Sequence, residues 1–243
     1  MLRFGIQLYS VRDQLARDVP ATLAGVKRAG FDHVELFGVG PADAERWRPM
    51  LKAAGLNVVA AHVDYDIVRD DLPGVIHLAR TLHFEDVIVP WLKLDSAREW
   101  EEAAVTMDAR GASLRDAGLR LGYHNHDHEF EALGNTAAFK IIFDRTKPEN
   151  LFLELDVRWA SEFGGDANAI IRDFGPRCRL LHLKERPKDG KGFTELGRGV
   201  IDWPAVVAAG RNAGVQCYIA EQDESAIGVF ESAAINADYL RKL

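Results

Sequence analysis

Short apolar runs alternate along the chain with longer amphipathic ones. This alternation is typical of a parallel α/β fold, in which a helix follows each buried strand and covers it. We count eight strand-like runs, each followed by a helical stretch, at residues 4–9, 33–36, 57–62, 86–89, 120–124, 151–155, 180–184 and 216–221. Eight such units in 243 residues predict one domain over residues 1–243, an α/β (β/α)₈ barrel, because such barrels need about 250 residues.

The turns between predicted helices and strands support this count. Four of them share one form, an Ala-Gly pair followed by an apolar residue, at residues 29–31, 54–56, 117–119 and 213–215. Glycine just past a helix adopts the left-handed conformation without a steric cost, so the repeat indicates one recurring helix-to-strand turn. Pro20, Pro41 and Pro204 lie where first helical turns are predicted, a position that proline tolerates.

An open Rossmann-type sheet is the rival architecture. That fold calls for a glycine-rich phosphate turn after the first strand. The turn here reads Tyr-Ser-Val-Arg-Asp at residues 9–13 and has no glycine. The longest predicted loop, residues 185–200, follows the seventh strand and would lie on the catalytic side of a barrel; it is either a functional loop or a disordered surface loop.

Composition narrows the range of partners. The net charge of −7 argues against a broad nucleic-acid-binding face, since phosphate binding draws on clustered Lys and Arg. No apolar run approaches the roughly 20 residues that span a bilayer, and no leader-like segment begins the chain. The only cysteines, Cys178 and Cys217, lie in apolar runs, so we expect no disulfide framework and a cytoplasmic protein. A homo-oligomer stays open.

Polar residues recur where the predicted strands end, which is where barrels keep their catalytic groups. Asp156, His182 and Glu221 each stand at the polar end of an apolar strand, and the fifth strand runs into the histidine-rich stretch 123–129. Buried carboxylates need partners, and a mixed carboxylate and imidazole set suits one divalent ion, Mn²⁺, Mg²⁺, Co²⁺ or Zn²⁺. The alternative is purely structural: Asp156 pairs with Arg158, and Glu221 pairs with Lys184.

The chain resembles the sugar phosphate isomerase/epimerase group of the xylose isomerase-like TIM barrels over nearly its whole length. The sequences that carry the resemblance are Gly-Ile-Gln-Leu-Tyr-Ser-Val-Arg at 5–12, Gly-Phe at 30–31, Val-Glu-Leu-Phe-Gly at 34–38, Tyr-His-Asn-His at 123–126, Glu-Phe at 129–130, Glu-Leu-Asp at 154–156 with Trp159, His-Leu-Lys at 182–184, Gly-Arg-Gly-Val-Ile-Asp-Trp at 197–203 and Ala-Glu-Gln-Asp at 220–223. These motifs are specific for the superfamily and much less so for the substrate.

The resemblance implies one divalent metal ion held by a Glu, an Asp, a His and a second Glu. The last three correspond to Asp156, His182 and Glu221. The first is Glu129 or His124, because many relatives carry that Glu within the fifth strand, where this chain has His124; we favour Glu129.

The chemistry that the resemblance implies is proton movement at a carbon next to a carbonyl, through a metal-stabilised enediolate. Glu129 and Glu221 are the candidate proton-transfer pair, with His126 and His182 as alternative carriers. Lys184 either binds a substrate oxygen or phosphate, or forms a salt bridge to Glu221 or Glu154. The expected substrate-binding residues are His62, His124, Lys184, Glu35 and Trp159; Trp91 and Trp159 are either sugar platforms or packing residues. His33, His77 and His83 are predicted to be structural.

The leading prediction is a metal-dependent isomerase or epimerase of a sugar or keto-sugar. The nearest alternative is a lyase or dehydratase that acts on a 3-keto-glycoside or an inosose at the same site. A DNA-repair enzyme like endonuclease IV is a distant alternative, because its multi-zinc cluster and DNA-facing surface call for more ligands and a basic face. A non-catalytic sugar-binding module is the remaining class.

Overall fold

The computed structural model describes residues 2–162 and 165–243. Eight parallel strands close into a barrel in the order β1-β10-β9-β8-β5-β4-β3-β2. They are β1 Phe4–Gln7, β2 His33–Leu36, β3 Asn57–His62, β4 Asp86–Val89, β5 Arg120–His124, β8 Leu151–Asp156, β9 Cys178–Leu183 and β10 Cys217–Ala220. A short antiparallel hairpin follows β5 and consists of β6 Ala132–Leu133 and β7 Thr136–Ala137.

Helices surround the barrel. They are α1 Arg12–Leu15, α2 Val19–Arg28, α3 Ala44–Ala54, α4 Tyr65–Asp70, α5 Leu72–Leu82, α6 Ala97–Asp116, α7 Ala138–Asp144, α8 Val157–Glu162, α9 Ala167–Phe174, α10 Trp203–Ala213 and α11 Val229–Leu240, with 3-10 turns at Leu8–Val11, Pro41–Asp43, His128–Phe130 and Gly175–Arg177. Among the described helices, none has both the length and the apolar character needed to cross a bilayer.

The predicted (β/α)₈ barrel is confirmed, and the open Rossmann-type sheet is excluded by the closed strand order. The first strand is shorter than predicted and ends at Gln7 rather than at residue 9. Its side chain explains the early end: Gln7 Oε1 accepts a hydrogen bond from Tyr9 N, which starts a 3-10 turn at Leu8. Tyr9 therefore lies on this turn instead of a strand.

The predicted Ala-Gly turns are also confirmed. Gly30, Gly55, Gly118 and Gly214 all have a positive φ, between 66° and 103°. At the end of α3 the N–H of Gly55 bonds back to the Leu51 and Lys52 carbonyls, and Leu56 then leads into β3. A side chain in this conformation would be strained, which accounts for the repeated glycine.

Apolar side chains fill the barrel below the site. The group consists of Val59, Ala60, Ile88, Phe152, Leu180, Cys217 and Ile219. Gly122 of β5 leaves the space that the Phe152 ring occupies, since a Cβ there would lie 2.5 Å from that ring. These apolar side chains fill the barrel interior. The polar residues two positions further along the strands therefore lie above them, at the carboxyl end of the barrel.

The long segment after β9 is packed against the barrel. The buried carboxylate of Glu185 accepts hydrogen bonds from Gly197 N at 2.9 Å and from Trp203 Nε1 at 2.6 Å. Leu196, within the same segment, is buried in the core. The disordered-loop interpretation therefore does not describe this segment.

Candidate active site

The register of the barrel places the polar strand ends side by side. His124 of β5 lies opposite Glu154 of β8, and Asp156 of β8 lies opposite His182 of β9. Alternate strand residues point to the same side, so the residues two positions apart, Glu154 and Asp156, share one face. The result is two layers of polar side chains at the carboxyl end of the barrel.

The upper layer is called the outer group and consists of His124, Asp156, His182 and Glu221, which each present a donor atom within 4.8 Å of the others. His182 Nδ1 lies 3.0 Å from Glu221 Oε2. The ammonium of Lys184 lies beside this group, 3.1 Å from Glu221 Oε2 and 3.7 Å from Asp156 Oδ2. Asp223 is a third carboxylate around it, at 3.1 Å.

The lower layer is called the inner group and consists of His62, His124, Glu154 and His182. Glu154 Oε2 is 3.0 Å from His62 Nε2, 3.2 Å from His124 Nδ1 and 3.3 Å from His182 Nε2. Glu35 lies next to this group, with its Oε2 2.6 Å from His182 Nε2. Gln7 Nε2 donates a hydrogen bond to the same oxygen at 2.8 Å.

Burial and neighbouring charge shift the pKa values of the inner group. Burial raises the pKa of Glu154 to about 7, and the Glu35 carboxylate beside it acts in the same direction. Burial disfavours the His182 imidazolium, but Glu154 and Glu35 outweigh that penalty and hold its pKa well above the ordinary value. Burial and the neighbouring imidazole of His182 hold the pKa of His124 well below the ordinary value. Such opposed shifts within one cleft are typical of functional sites.

The pKa values of the outer group and of Lys184 are shifted as strongly. Burial raises the pKa of Asp156 to about 6, against the lowering effect of Lys184. Burial alone would raise the pKa of Glu221, but Lys184 and His182 lower it far below its ordinary value. The same carboxylates raise the pKa of Lys184, despite burial, so the ammonium stays charged.

The structure separates Glu129 from the outer group. Its buried carboxylate accepts hydrogen bonds from Tyr123 Oη and His126 N, both at 2.7 Å. Burial raises its pKa, and its nearest imidazole is that of His128, at 3.3 Å. His124, in contrast, belongs to both groups of ligand-type atoms. The geometry therefore favours His124 over Glu129 as the fourth ligand-type residue, the reverse of the preference that the sequence suggested.

Aromatic residues form the rim. Trp91 is 48% exposed, and its ring centroid lies 4.7 Å from that of His126. The Lys184 ammonium lies 5.1 Å from the centroid of Trp159, which places this ring beside the outer group. Burial lowers the pKa of His126 to about 3, with Lys184 acting in the same direction, so its imidazole is neutral at neutral pH.

The structural pairings considered from sequence hold only in part. Arg158 does not pair with Asp156; its Nε lies 2.9 Å from Glu162 Oε1. Lys184 does pair with Glu221.

Two of the expected substrate-binding residues differ in their placement. His62 reaches the inner group. Glu35 is fully buried behind His182, so its expected contact with substrate is replaced by contact with His182 and Gln7. The other histidines lie elsewhere: His33 starts β2, His77 lies in α5, and His83 caps that helix.

Three residues in or beside the two layers were not predicted to be site residues: Gln7, Asp223 and Glu154, which was considered only as a salt-bridge partner of Lys184. Glu154 carried a usable signal, because the period of two puts it on the same face as Asp156. A cavity of about 610 Å³ lies away from the site, beside α3 and the start of β3, and is lined by residues such as Arg48, Lys52 and Leu82.

The outer group fits a divalent cation. It combines two carboxylates with two imidazoles, the donor set that suits Mn²⁺, Co²⁺ or Zn²⁺. Two of its buried donor atoms, Asp156 Oδ2 and His124 Nδ1, have no hydrogen-bond partner, as ligand atoms would not. Buried polar atoms are normally paired, so these orphans mark a place for a ligand.

Comparison with known proteins finds similar sequences and similar structures. An inosose dehydratase of Lacticaseibacillus casei is 26% identical over 162 residues, 58% of this chain and 54% of the relative, so the chain spans about half the length of this curated relative. An L-ribulose 3-epimerase of Mesorhizobium japonicum is 26% identical over 86% of this chain and 77% of the relative. A crystal structure of a sugar phosphate isomerase/epimerase from Parabacteroides distasonis superposes with a TM-score of 0.85 at 21% identity, covering 97% of this chain and 92% of that one.

A family model also matches most of the chain. The profile of the family described as "Xylose isomerase-like TIM barrel" matches residues 23–242, which include all the polar strand ends described above except Gln7. The closed eight-stranded barrel and the buried His and carboxylate cluster agree with that match. The chain therefore belongs to the xylose isomerase-like TIM barrel family.

Proposed function

We propose that this protein is a divalent-metal-dependent isomerase or epimerase of a sugar or keto-sugar, working by proton transfer at the carbon next to a carbonyl. The observation that carries the proposal is the outer group, a buried set of two carboxylates and two imidazoles beside the charged Lys184. Membership of a family that includes epimerases supports it.

The ion would be held by Asp156, His182 and Glu221, with His124 as the nearest fourth donor. When bound, it supplies a Lewis acid that polarises a carbonyl and stabilises negative charge on its oxygen. Glu35 fixes the ring of His182, because its carboxylate lies 2.6 Å from Nε2 and leaves Nδ1 toward Glu221. A carboxylate behind a ligating histidine is a common orienting arrangement.

The chain's own residues would move the proton. Lys184 stays charged and donates a hydrogen bond to the substrate oxygen on which negative charge develops. Glu221 follows β10, and His126 follows β5, with β9 and β8 between these two strands. A bound sugar would lie between them, so the ionised Glu221 can take up the proton from carbon and the neutral imidazole of His126 can relay a proton from solvent to the other side of that carbon. We assign His126 this role in place of Glu129, whose carboxylate is held by Tyr123 and the His126 main chain.

The test is proton exchange in D₂O with a panel of keto-sugars and the Mn²⁺-loaded protein. The proposal predicts epimer formation with deuterium at the carbon next to the carbonyl, and Glu221→Gln loses both. Glu131→Gln is the matched control, because Glu131 is exposed and lies just past the 3-10 turn at His128–Phe130. Exchange at the wild-type rate in Glu221→Gln would refute the role of this carboxylate.

A lyase acting on a 3-keto-glycoside or an inosose is the second candidate. It is favoured by the inosose dehydratases among the relatives and uses the same residues up to the loss of the proton. The same panel separates the two reactions: an elimination product from a 3-keto-glucoside or an inosose supports the lyase, and an epimer supports the epimerase.

The buried free thiols Cys178 and Cys217 support the expected reducing, cytoplasmic setting.

A further inference from the structure

Two nitrogen donors at the rim of the barrel are buried without an acceptor in the described parts of the chain. They are Nη1 of Arg158 and Nε1 of Trp159, adjacent residues of α8, the helix that follows β8. Arg158 is 5% exposed, and its guanidinium donates one hydrogen bond, from Nε to Glu162 Oε1 at 2.9 Å. Buried polar groups are normally paired, so two orphan donors on neighbouring residues mark a place for a ligand.

The two donors lie beside the outer group. Arg158 Cζ lies 4.4 Å from the ring centroid of Phe193 and 4.9 Å from that of Trp159. The Lys184 ammonium lies 5.1 Å from the same Trp159 centroid, so the guanidinium and the ammonium border one ring. The main-chain N–H of Trp159 donates a hydrogen bond to Asp156 Oδ1 at 3.0 Å, which fixes the start of the helix. A second functional group of a sugar bound at the outer group is therefore within reach of both donors.

The chemistry of these donors selects the ligand. Guanidinium and indole N–H groups donate hydrogen bonds and cannot accept them, so a group that only accepts suits them better than a hydroxyl. The positive charge of the guanidinium favours an anion. Glu162 already holds one edge of that guanidinium, and its negative charge at 2.9 Å opposes a doubly charged phosphate. A carboxylate has one charge and two oxygens, which match the one guanidinium and the two orphan donors.

We propose that Arg158 and Trp159 form a carboxylate-binding subsite and that the substrate is a keto-sugar acid. This inference rests on the proposed function for the reacting carbonyl and adds the class of substrate. The carbonyl end of such a molecule lies at the outer group beside Lys184, and its carboxylate accepts hydrogen bonds from Arg158 Nη1 and Trp159 Nε1. A site built to hydrogen-bond one group of the substrate rejects an analogue that lacks this group, because the buried donors then stay unpaired.

Phe193, which covers the guanidinium, stands next to an exposed tip of the long segment after β9. Residues 188–192 form this tip, and both of its glycines have positive φ values. The buried carboxylates of Glu185 and Glu195 fix the chain on either side, since each accepts a hydrogen bond at 2.6 Å from a buried side chain. Movement of the tip alone can take Phe193 away from the guanidinium, so the subsite has an entrance.

The subsite is tested by NMR of the Trp159 indole N–H in the full chain, labelled with ¹⁵N at tryptophan and free of metal so that no ion takes up the carboxylate. Trp159→Phe identifies the resonance among those of the five tryptophans. Glycolate should shift it saturably, because the N–H gains a charged acceptor, and the neutral counterpart ethylene glycol should not. Arg158→Met should weaken glycolate binding at least about tenfold. The control Arg172→Met, at an exposed position of α9, should leave it unchanged.

The class of substrate is tested with D-fructuronate, D-fructose and D-fructose 6-phosphate, which differ only at carbon 6, and with the same three forms of D-tagatose. The Mn²⁺-loaded wild type should exchange deuterium into a keto-sugar acid with a kcat/KM at least about tenfold above that for its neutral sugar and its phosphate. Arg158→Met should lose this preference, and Arg172→Met should keep it.

The outcomes separate this inference from the proposed function. No response of the Trp159 indole to glycolate, or a response to inorganic phosphate alone, overturns the carboxylate subsite, and neither measurement needs Arg158→Met to fold. Equal kcat/KM values for an acid and its neutral sugar overturn the substrate class and leave the proposed function standing. A response to glycolate without deuterium exchange in any of the six compounds counts against the proposed function and keeps the subsite.

Discussion

Charged side chains are buried at both ends of the barrel, and the two ends treat them differently. At the amino end, Asp86 of β4 is 5% exposed and binds Arg179 Nε with both carboxylate oxygens, at 3.0 and 2.9 Å. Arg120 adds a third contact at 3.2 Å. At the carboxyl end, Glu154 and Asp156 each keep an oxygen without a hydrogen bond, and within residues 2–162 and 165–243 the ion pairs of Glu154 are made with imidazoles only.

The comparison shows how a structural charge cluster differs from a functional one. The amino-end cluster pairs its carboxylate with guanidinium groups, which are permanently charged and fully satisfy it. The carboxyl-end cluster depends on groups that can exchange protons or bind cations. We therefore expect the amino end to stabilise the fold and the carboxyl end to perform chemistry.

The largest expected effect is the loss of activity when Asp156 is replaced. Asp156→Asn removes a ligand charge from the outer group, so kcat/KM on the keto-sugar substrate should fall at least about 100-fold. Stability should hardly change in the metal-free protein, because a buried carboxylate with one unpaired oxygen is removed. Steady-state kinetics and thermal melts measure both; Asp173→Asn, an exposed position in α9, is the control. Full activity in Asp156→Asn would contradict the role of Asp156 as a metal ligand.

The opposite result is expected at the amino end. Asp86→Asn leaves Arg179, whose side chain is 24% exposed, without its carboxylate and should cost about 2–3 kcal/mol in the free energy of unfolding. Because the change lies at the far end of the barrel, kcat per folded molecule should stay within about twofold of the wild type. Denaturant titration and kinetics on the same preparation test this, and a variant that keeps its stability but loses kcat would break the comparison.

The pH dependence of stability should also come from the carboxyl end. The folded-state pKa of Glu154 is raised from 4.5 to about 7, and that of Asp156 from 3.8 to about 6. Groups with raised folded-state pKa values stabilise the protein at low pH, and that contribution is lost as the pH rises through the folded-state value. His182, whose pKa is raised, acts in the same direction.

Metal-free protein should therefore lose about 1–3 kcal/mol of stability between pH 6.5 and pH 8, since the lowered pKa values of His124 and His126 act in the opposite direction below pH 6.5. Glu221, whose pKa is lowered, contributes only below its ordinary value of 4.5, outside this range. Thermal melts across the range test the prediction. Glu154→Gln should flatten the slope and Glu131→Gln should not; an equal slope in both variants would show that Glu154 is not its source.

The smallest expected effect is on cation affinity. The Lys184 ammonium lies 3.7 Å from Asp156 Oδ2 and 3.1 Å from Glu221 Oε2, where it competes with a divalent ion for the same carboxylates. Lys184→Met removes this charge, so Mn²⁺ should bind about tenfold more tightly while turnover falls. Calorimetric titration and kinetics measure the two changes. Weaker Mn²⁺ binding in Lys184→Met would mean that Lys184 supports the ion rather than opposing it.

The sequence was sufficient for the fold because local signals and the global pattern agree. Eight short apolar runs mark the strands, and the Ala-Gly turn recurs at four of the helix-to-strand connections, where the left-handed glycines Gly30, Gly55, Gly118 and Gly214 confirm it. The exception was the end of β1. There a single side-chain hydrogen bond from Tyr9 N to Gln7 Oε1 ends the strand, and hydrophobic periodicity carries no signal for it.

The site was predictable only where one polar residue closes an apolar strand. Asp156, His182 and Glu221 met that condition, and the structure brings them together. The choice between His124 and Glu129 depends on the path of the chain after β5, where the 3-10 turn His128–Phe130 directs Glu129 onto Tyr123. The direction of this turn depends on tertiary packing, which residue spacing alone does not predict.

The central claim is that the carboxyl end of the barrel binds a divalent ion through Asp156, His182 and Glu221. Its most direct test is calorimetric titration of metal-free wild type and Asp156→Asn with Mn²⁺ at neutral pH. The account predicts saturable binding by the wild type and a loss of at least about tenfold in affinity, or of one ion per chain, in Asp156→Asn. Binding of equal affinity and stoichiometry in both proteins, or no binding by the wild type, would contradict it.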